Sequence, residues 1–255
     1  MSQTASNTAL HEFALRLGDD ALTLGHRLSE WCSNGPYLEE DIALSNIALD
    51  HIGRARMLLG YAAEVEGKGR SEDDLAFLRH ARQFRNLLLF ELPKGDFAFT
   101  IARQFFVDVF HAAYFAALTQ SSDEALAGIA GKAVKECRYH QRHTAQWMLR
   151  LGDGTEESHE RLQKAVDQLW GYLPELFDMD DLESGLANDG IAVDRSNLRD
   201  ALYADVSEVL NAATITVPES EWRQDGGRNG IHTEYLGHLL AEMQFMQRAY
   251  PGMEW

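Results

Sequence analysis

The stretch Phe97–Thr119, FAFTIARQFFVDVFHAAYFAALT, is apolar nearly all the way round a helix, yet it carries an aspartate, Asp108, at its middle. A helix that is hydrophobic on every side must be enclosed by others, so the chain has to build a helical bundle around it. An ionised carboxylate in that setting costs several kcal/mol unless an arginine, a histidine or a metal stands beside it. A structural ion pair and a metal ligand are equally admissible partners, and His111 follows three residues on.

The next long segment is organised the same way. Leu126, Ala130, Ala133, Cys137, His140, Thr144, Trp147 and Leu151 fall on one helical stripe at spacings of three and four, with Glu136 beside it and one turn before His140. The segment is entered through Ser121-Ser122-Asp123-Glu124 and closed by Leu151-Gly152-Asp153-Gly154. Earlier in the chain, Leu10, Ala14, Leu17, Ala21, Leu24, Leu28 and Trp31 form a heptad seam that stops at Ser33-Asn34-Gly35-Pro36. Residues 1–9 are small and polar and read as frayed. A second helix spans about Leu38–Val65, with His51 on its apolar stripe and Asp50 four residues before Arg54. The adjacent Asp19 and Asp20 read more readily as a solvated pair than as ligands.

Four long helices with short breaks predict an all-α, antiparallel four-helix bundle in one domain, 1–255. Five prolines in 255 residues and 45% hydrophobic residues agree with helix. Further helices are predicted at about Glu156–Phe177 and Ser196–Ala212, with an acidic irregular region between them. The tail holds a loop at Gly226, Gly227 and Gly230, then a helix from His232-Thr233-Glu234 lined by Leu239, Met243 and Met246. His232, Glu234, His238 and Glu242 read as caps and surface pairs.

Forty acidic against 23 basic residues give a net charge of −17, which repels nucleic acid and anionic membranes. Two cysteines, no basic start with an apolar run and no long apolar segment predict a cytoplasmic protein. Against that charge, Arg79, Arg82 and Arg85 form a local positive patch with no acid between them. Such a patch attracts phosphates, or else pairs with acidic neighbours. Phosphate-binding glycine loops, dinucleotide fingerprints and Cys-x-x-Cys motifs are absent.

The strings LGDDALTLGHRLSEW, DIALSNIALDHIGRAR, RQFRNLLLFELPKGDFAFTIARQFFVD, KAVKECRYHQRH and GGRNGIHTEYLGHLLAEMQFMQRAYPG occur in this order over residues 10–255. Together they resemble the C subunits of the multicomponent phenylacetyl-CoA epoxidases of aerobic phenylacetate degradation. The resemblance implies a ferritin-like fold and a non-catalytic subunit that supports a catalytic A subunit, which carries the di-iron centre. It implies no cofactor in this chain and an A–C heterodimer, to which five tryptophans and Met243 and Met246 would contribute surface.

On the di-iron template, Asp19 or Asp20, Asp50, Asp108 and Glu136 fall near the carboxylate positions, while Gly53 and Tyr139 replace the two histidines. Asp50, Asp108, Glu136 and His140 therefore read as a degenerate former metal cluster. The rival reading is a self-sufficient di-metal oxygenase using those four residues. The resemblance also implies an auxiliary contact with a phenylacetyl-CoA ester through Gln83, Phe84, Arg85 and Asn86, with a second segment at Ser184, Gly185 and Leu186. In that contact Phe84 is expected to offer a flat apolar surface.

Overall fold

A computed structural model describes residues 3–253, with side chains from Asn7 onward. The described residues are helical, with no strand among them. In order the helices are α1 (Gln3–Ser29), α2 (Leu38–Glu66), α3 (Glu72–Phe77), α4 (Leu88–Glu91), α5 (Phe97–Leu118), α6 (Glu124–Gly152), α7 (Glu156–Trp170), α8 (Asp181–Asn188), α9 (Arg199–Ala212), α10 (Glu234–Met243) and α11 (Phe245–Ala249). None of the described helices is long and apolar enough to cross a membrane.

The long helices begin and end close to where periodicity and breakers place them, and the differences lie in the short elements. α1 begins at Gln3 rather than Leu10, so most of the stretch read as frayed is helical, while Met1 and Ser2 lie outside the described residues. The helix read through to Phe177 stops at Trp170, and a single 3-10 turn, Leu173–Leu176, accommodates Pro174. The acidic region read as irregular holds α8, whose N-cap Asp180 accepts a hydrogen bond from the Glu183 amide. After α2 comes the short helix α3, closed at its start by a Ser71–Asp74 capping box.

The chain packs as two compact units where the sequence reads as one domain. The first joins residues up to Pro93 with those from Gly226 onward, and the second runs from Lys94 to Asp225.

In the first unit α1 and α2 form an antiparallel pair. His11 Nδ1 lies 2.8 Å from the Ala62 carbonyl near one end, Gly18 faces Leu59 at the middle, and Gly25 faces Ile52 towards the other end. At Gly18 a Cβ would come within 2.6 Å of Leu59 Cδ2, so the missing side chain is what lets the helices close. Leu15, Leu22, Leu59, Leu75 and Phe84 share the core with Leu236 and Leu240 of α10.

In the second unit α5 and α6 also run antiparallel. The rings of Phe97 and Trp147 meet edge to face at 4.9 Å, and further along Thr144 bonds Asp108. α7 packs on α5 and α9 on α6. As its composition demands, α5 is buried almost throughout, from Ala98 to Leu118. A buried Arg195–Glu183 ion pair, with N and O 2.5 Å apart, ties α8 to the turn before α9.

Candidate functional site

The polar core of the second unit is built on Asp108, which is completely buried. Gln104, one turn earlier on α5, donates its amide to Oδ1 at 2.7 Å, and Thr144 of α6 donates its hydroxyl to Oδ2 at 2.9 Å. His140 stands one turn before Thr144, with Nδ1 4.0 Å from Asp108 Oδ1. The same Thr144 hydroxyl lies 3.0 Å from the His140 carbonyl one turn back on α6, while its bond to Asp108 is what ties α6 to α5. Asp108 and His140, two of the four expected cluster residues, are thus brought together.

The other two are placed differently. Glu136 is half-buried on α6, 4.0 Å from Lys132 Nζ, and Asp50 is half-buried on α2 in the first unit. The template positions expected for the lost histidines do not face inward at all. Tyr139 is 50% exposed, and a Cβ at Gly53 would meet nothing within 4 Å. At the same three-residue spacing the buried pair on α2 is His51 and Arg54, at 0% and 1% exposure. Reading by residue type, Asp50-x-x-Gly53, put the register one position out. The signal was present in the stripe Leu44, Ala48, His51, Ala55, Leu58, which already set His51 inward.

A two-iron centre is not a good fit to these groups. Within this unit Asp108 and His140 come together, two groups against the four carboxylates and two histidines that a two-iron centre uses, and each oxygen of Asp108 already accepts a hydrogen bond.

In the first unit, a second polar core grips the segment from Arg79 to Glu91. Asp19, fully buried, takes both terminal nitrogens of Arg79 and also accepts the Arg85 backbone N–H at 2.8 Å. Asp20 receives Arg228 at 3.0 and 2.8 Å together with the Leu87 N–H at 2.8 Å. Glu91 accepts Asn86 Nδ2 at 2.8 Å, His232 Nδ1 at 2.7 Å, and the Thr233 amide and hydroxyl at 2.6 and 2.8 Å. Burial works against a charged His232 ring, but its bond to Glu91, the charge of that carboxylate and the Phe84 carbonyl outweigh burial and raise its pKa above the usual histidine value.

Several sequence expectations are corrected by this arrangement. Asp19 and Asp20 are buried ion-pair partners rather than a solvated pair. The positive patch is mostly spent at home, with Arg79 bound to Asp19 and Arg85 Nε 3.2 Å from Glu12. Phe84 offers no surface, because it is fully buried beneath the Arg79 guanidinium, 4.2 Å from its ring centre. Asn86 is fully buried on Glu91, and Leu186 is buried as well, whereas Gln83 is exposed and Arg85, Ser184 and Gly185 are half-buried. His232 is a buried partner of Glu91, not a surface cap, and Met246 is 40% exposed rather than turned to the core. The Arg228 and His232 contacts span more than 140 residues of sequence, so no local pattern announces them.

The sequence profile of the family described as phenylacetic acid catabolic protein matches residues 1–255. The chain belongs to that family. Within the family it is 51% identical over 246 residues to the C subunit of the 1,2-phenylacetyl-CoA epoxidase of Escherichia coli (strain K12), an alignment covering 96% of this chain and 99% of that one. The family's fold is a ferritin-like helical one, in agreement with the all-α fold found here.

Proposed function

We propose that the chain is the C subunit of a phenylacetyl-CoA epoxidase, a non-catalytic component that supports a catalytic A subunit with the di-iron centre. The observation that carries this reading is the state of Asp108. It is the carboxylate that α5 carries, fully buried, and Gln104 and Thr144 each donate a hydrogen bond to one of its oxygens. The half-exposed Tyr139 and Gly53, where a Cβ would meet nothing within 4 Å, support it, because these are the two positions at which the two-iron template places histidines. What remains has the chemistry of a structural polar core: a buried carboxylate held by side-chain hydrogen bonds from two helices.

The relative's name describes a subunit, which supports assembly with other chains. Of the residues expected to touch a coenzyme A ester, Gln83 and Arg85 in the first unit and Ser184 and Gly185 in the second keep some exposure, and an auxiliary contact is proposed for each pair by itself. Metal analysis tests the central claim. After reconstitution with ferrous iron the isolated chain should retain almost none, and iron in the co-purified complex should track the A subunit. Two tightly held irons per isolated chain would overturn the proposal.

A further inference from the structure

α2 is apolar on two opposite faces. Leu44, Ile47, His51, Ala55, Leu58 and Ala62 form the buried one. On the other side Leu38, Ile42 and Leu49 are 72%, 53% and 64% exposed, a row of large aliphatic side chains at spacings of four and seven residues. Gly53 and Gly60 continue the row, and a Cβ at either would meet nothing within 4 Å. From Leu38 to Gly60 the row is about 33 Å long at 1.5 Å per residue.

Neither half of this row serves the fold of the chain itself. Exposed leucine and isoleucine stabilise nothing until something covers them, and glycine in a helix interior is less stable than alanine. Where no neighbour within the chain needs the space, two glycines seven residues apart leave a shallow trough in the helix surface, the shape that lets another backbone come close. The flanking charges say which kind of chain fits. Glu39 and Glu64 are exposed along one edge of the row, and Arg56, the cation on the row, already pairs with Glu72 at 3.3 Å. A second copy would bring the same acidic edge, on a molecule of net charge −17, against this one.

We propose that the outward face of α2 is the docking surface for a helix of a different subunit, apolar along its centre and bearing lysine or arginine at its flank. This rests on the reading of the chain as an epoxidase C subunit, and the occupant is the A subunit. Leu38, Ile42 and Leu49 are the apolar anchors, Gly53 and Gly60 admit the partner's backbone, and Glu39 and Glu64 select its charge.

The test uses the co-expressed complex of this chain with the A subunit, its affinity measured by titration of labelled chain and its mass by light scattering. The double variant Ile42→Arg/Leu49→Arg should bind roughly a hundredfold more weakly, since it removes two anchors and sets cations against a basic flank. Its helical content and melting temperature in isolation should match the wild type, because both positions are exposed. Leu78→Arg, at a 52% exposed apolar position just after α3, should leave the complex unchanged. Gly60→Ala should melt at a higher temperature in isolation and yet bind more weakly, a combination that a merely structural glycine does not give. If the wild-type complex forms and the double variant binds equally well, the surface is wrong and the subunit reading stands. If the wild-type chains do not associate, both fail. If the chain alone forms dimers that the double variant abolishes, the occupant is a second copy and the proposal is overturned.

Discussion

Arg79 clasps the carboxylate of Asp19 with both terminal nitrogens, 60 residues along the chain and with both side chains almost wholly removed from water. The pair fixes the segment after α3 against the middle of α1. Asp19→Ala strands the guanidinium and frees the Arg85 amide, so the chain should lose about 3–5 kcal/mol of stability. Urea midpoints measure it. A loss below about 1 kcal/mol would show that water reaches Arg79 once the carboxylate has gone.

Asp108 is expected to behave the same way in the second unit, for a different reason. Asp108→Ala removes an acceptor from Gln104 and from Thr144 in a dry core and should cost about 2–5 kcal/mol, whereas Asp108→Asn keeps one acceptor oxygen and should cost less. Denaturation of the two variants side by side decides it. Equal costs would assign the role to charge rather than to the hydrogen bonds.

The pair His232 and Glu91 makes stability depend on pH. The folded state raises the histidine pKa, so it holds the proton more tightly than the unfolded chain does. The resulting stability is fully present below the unfolded value of about 6.5 and is lost as pH rises through the higher folded value. Melting temperatures should therefore decline as pH rises above about 6.5, and His232→Gln should flatten that slope. A decline that persists unchanged in the variant would place its origin elsewhere.

Glu66 acts in the opposite direction. Hydrogen bonds from Arg70, with Lys68 and the charge of His11 adding to them against burial, lower its pKa to about 2. Its contribution is present above the unfolded value of about 4.5 and lost as pH falls towards about 2. Glu66→Gln should be less stable than the wild type at pH 7 and approach it near pH 2, as monitored by guanidinium titrations at each pH.

Two glycines separate close approach from open space. At Gly227 a Cβ would lie 2.1 Å from the Asn86 carbonyl oxygen, so Gly227→Ala must push apart the loop that carries Arg228 and should cost about 1–3 kcal/mol or more. At Gly53 nothing lies within 4 Å, and Gly53→Ala should stabilise the isolated chain by about 0.5–1 kcal/mol. Paired melts of the two variants check the sign as well as the size.

The long helices were legible because their signal is local. Seven-residue seams, a Gly67 C-cap and the nearly unbroken apolar surface of α5 each need only a few neighbouring residues to be read. The burial of Asp108 followed from the same logic. What escaped was pairing over long separations: Arg79 with Asp19, Arg228 with Asp20, and His232 with Glu91 look on paper like ordinary surface charges. The short helices α3 and α8 escaped because their capping aspartates also make turns, and only packing of Leu75 or Leu186 decides between the two.

The first unit is assembled from two stretches that the ribosome delivers far apart in time. Asp20 and Glu91 emerge early, but Arg228 and the His232-Thr233 pair that satisfy them are made only after the whole of Lys94–Asp225. Until then the nascent chain presents two carboxylates that still lack their bonds from Arg228, His232 and Thr233, and the seat for Leu236 and Leu240 stands open. The intervening unit can complete its α5–α6 pairing in that interval. The last stretch to be synthesised thus acts as a latch, and a chain broken off before it would leave the first unit open to proteolysis.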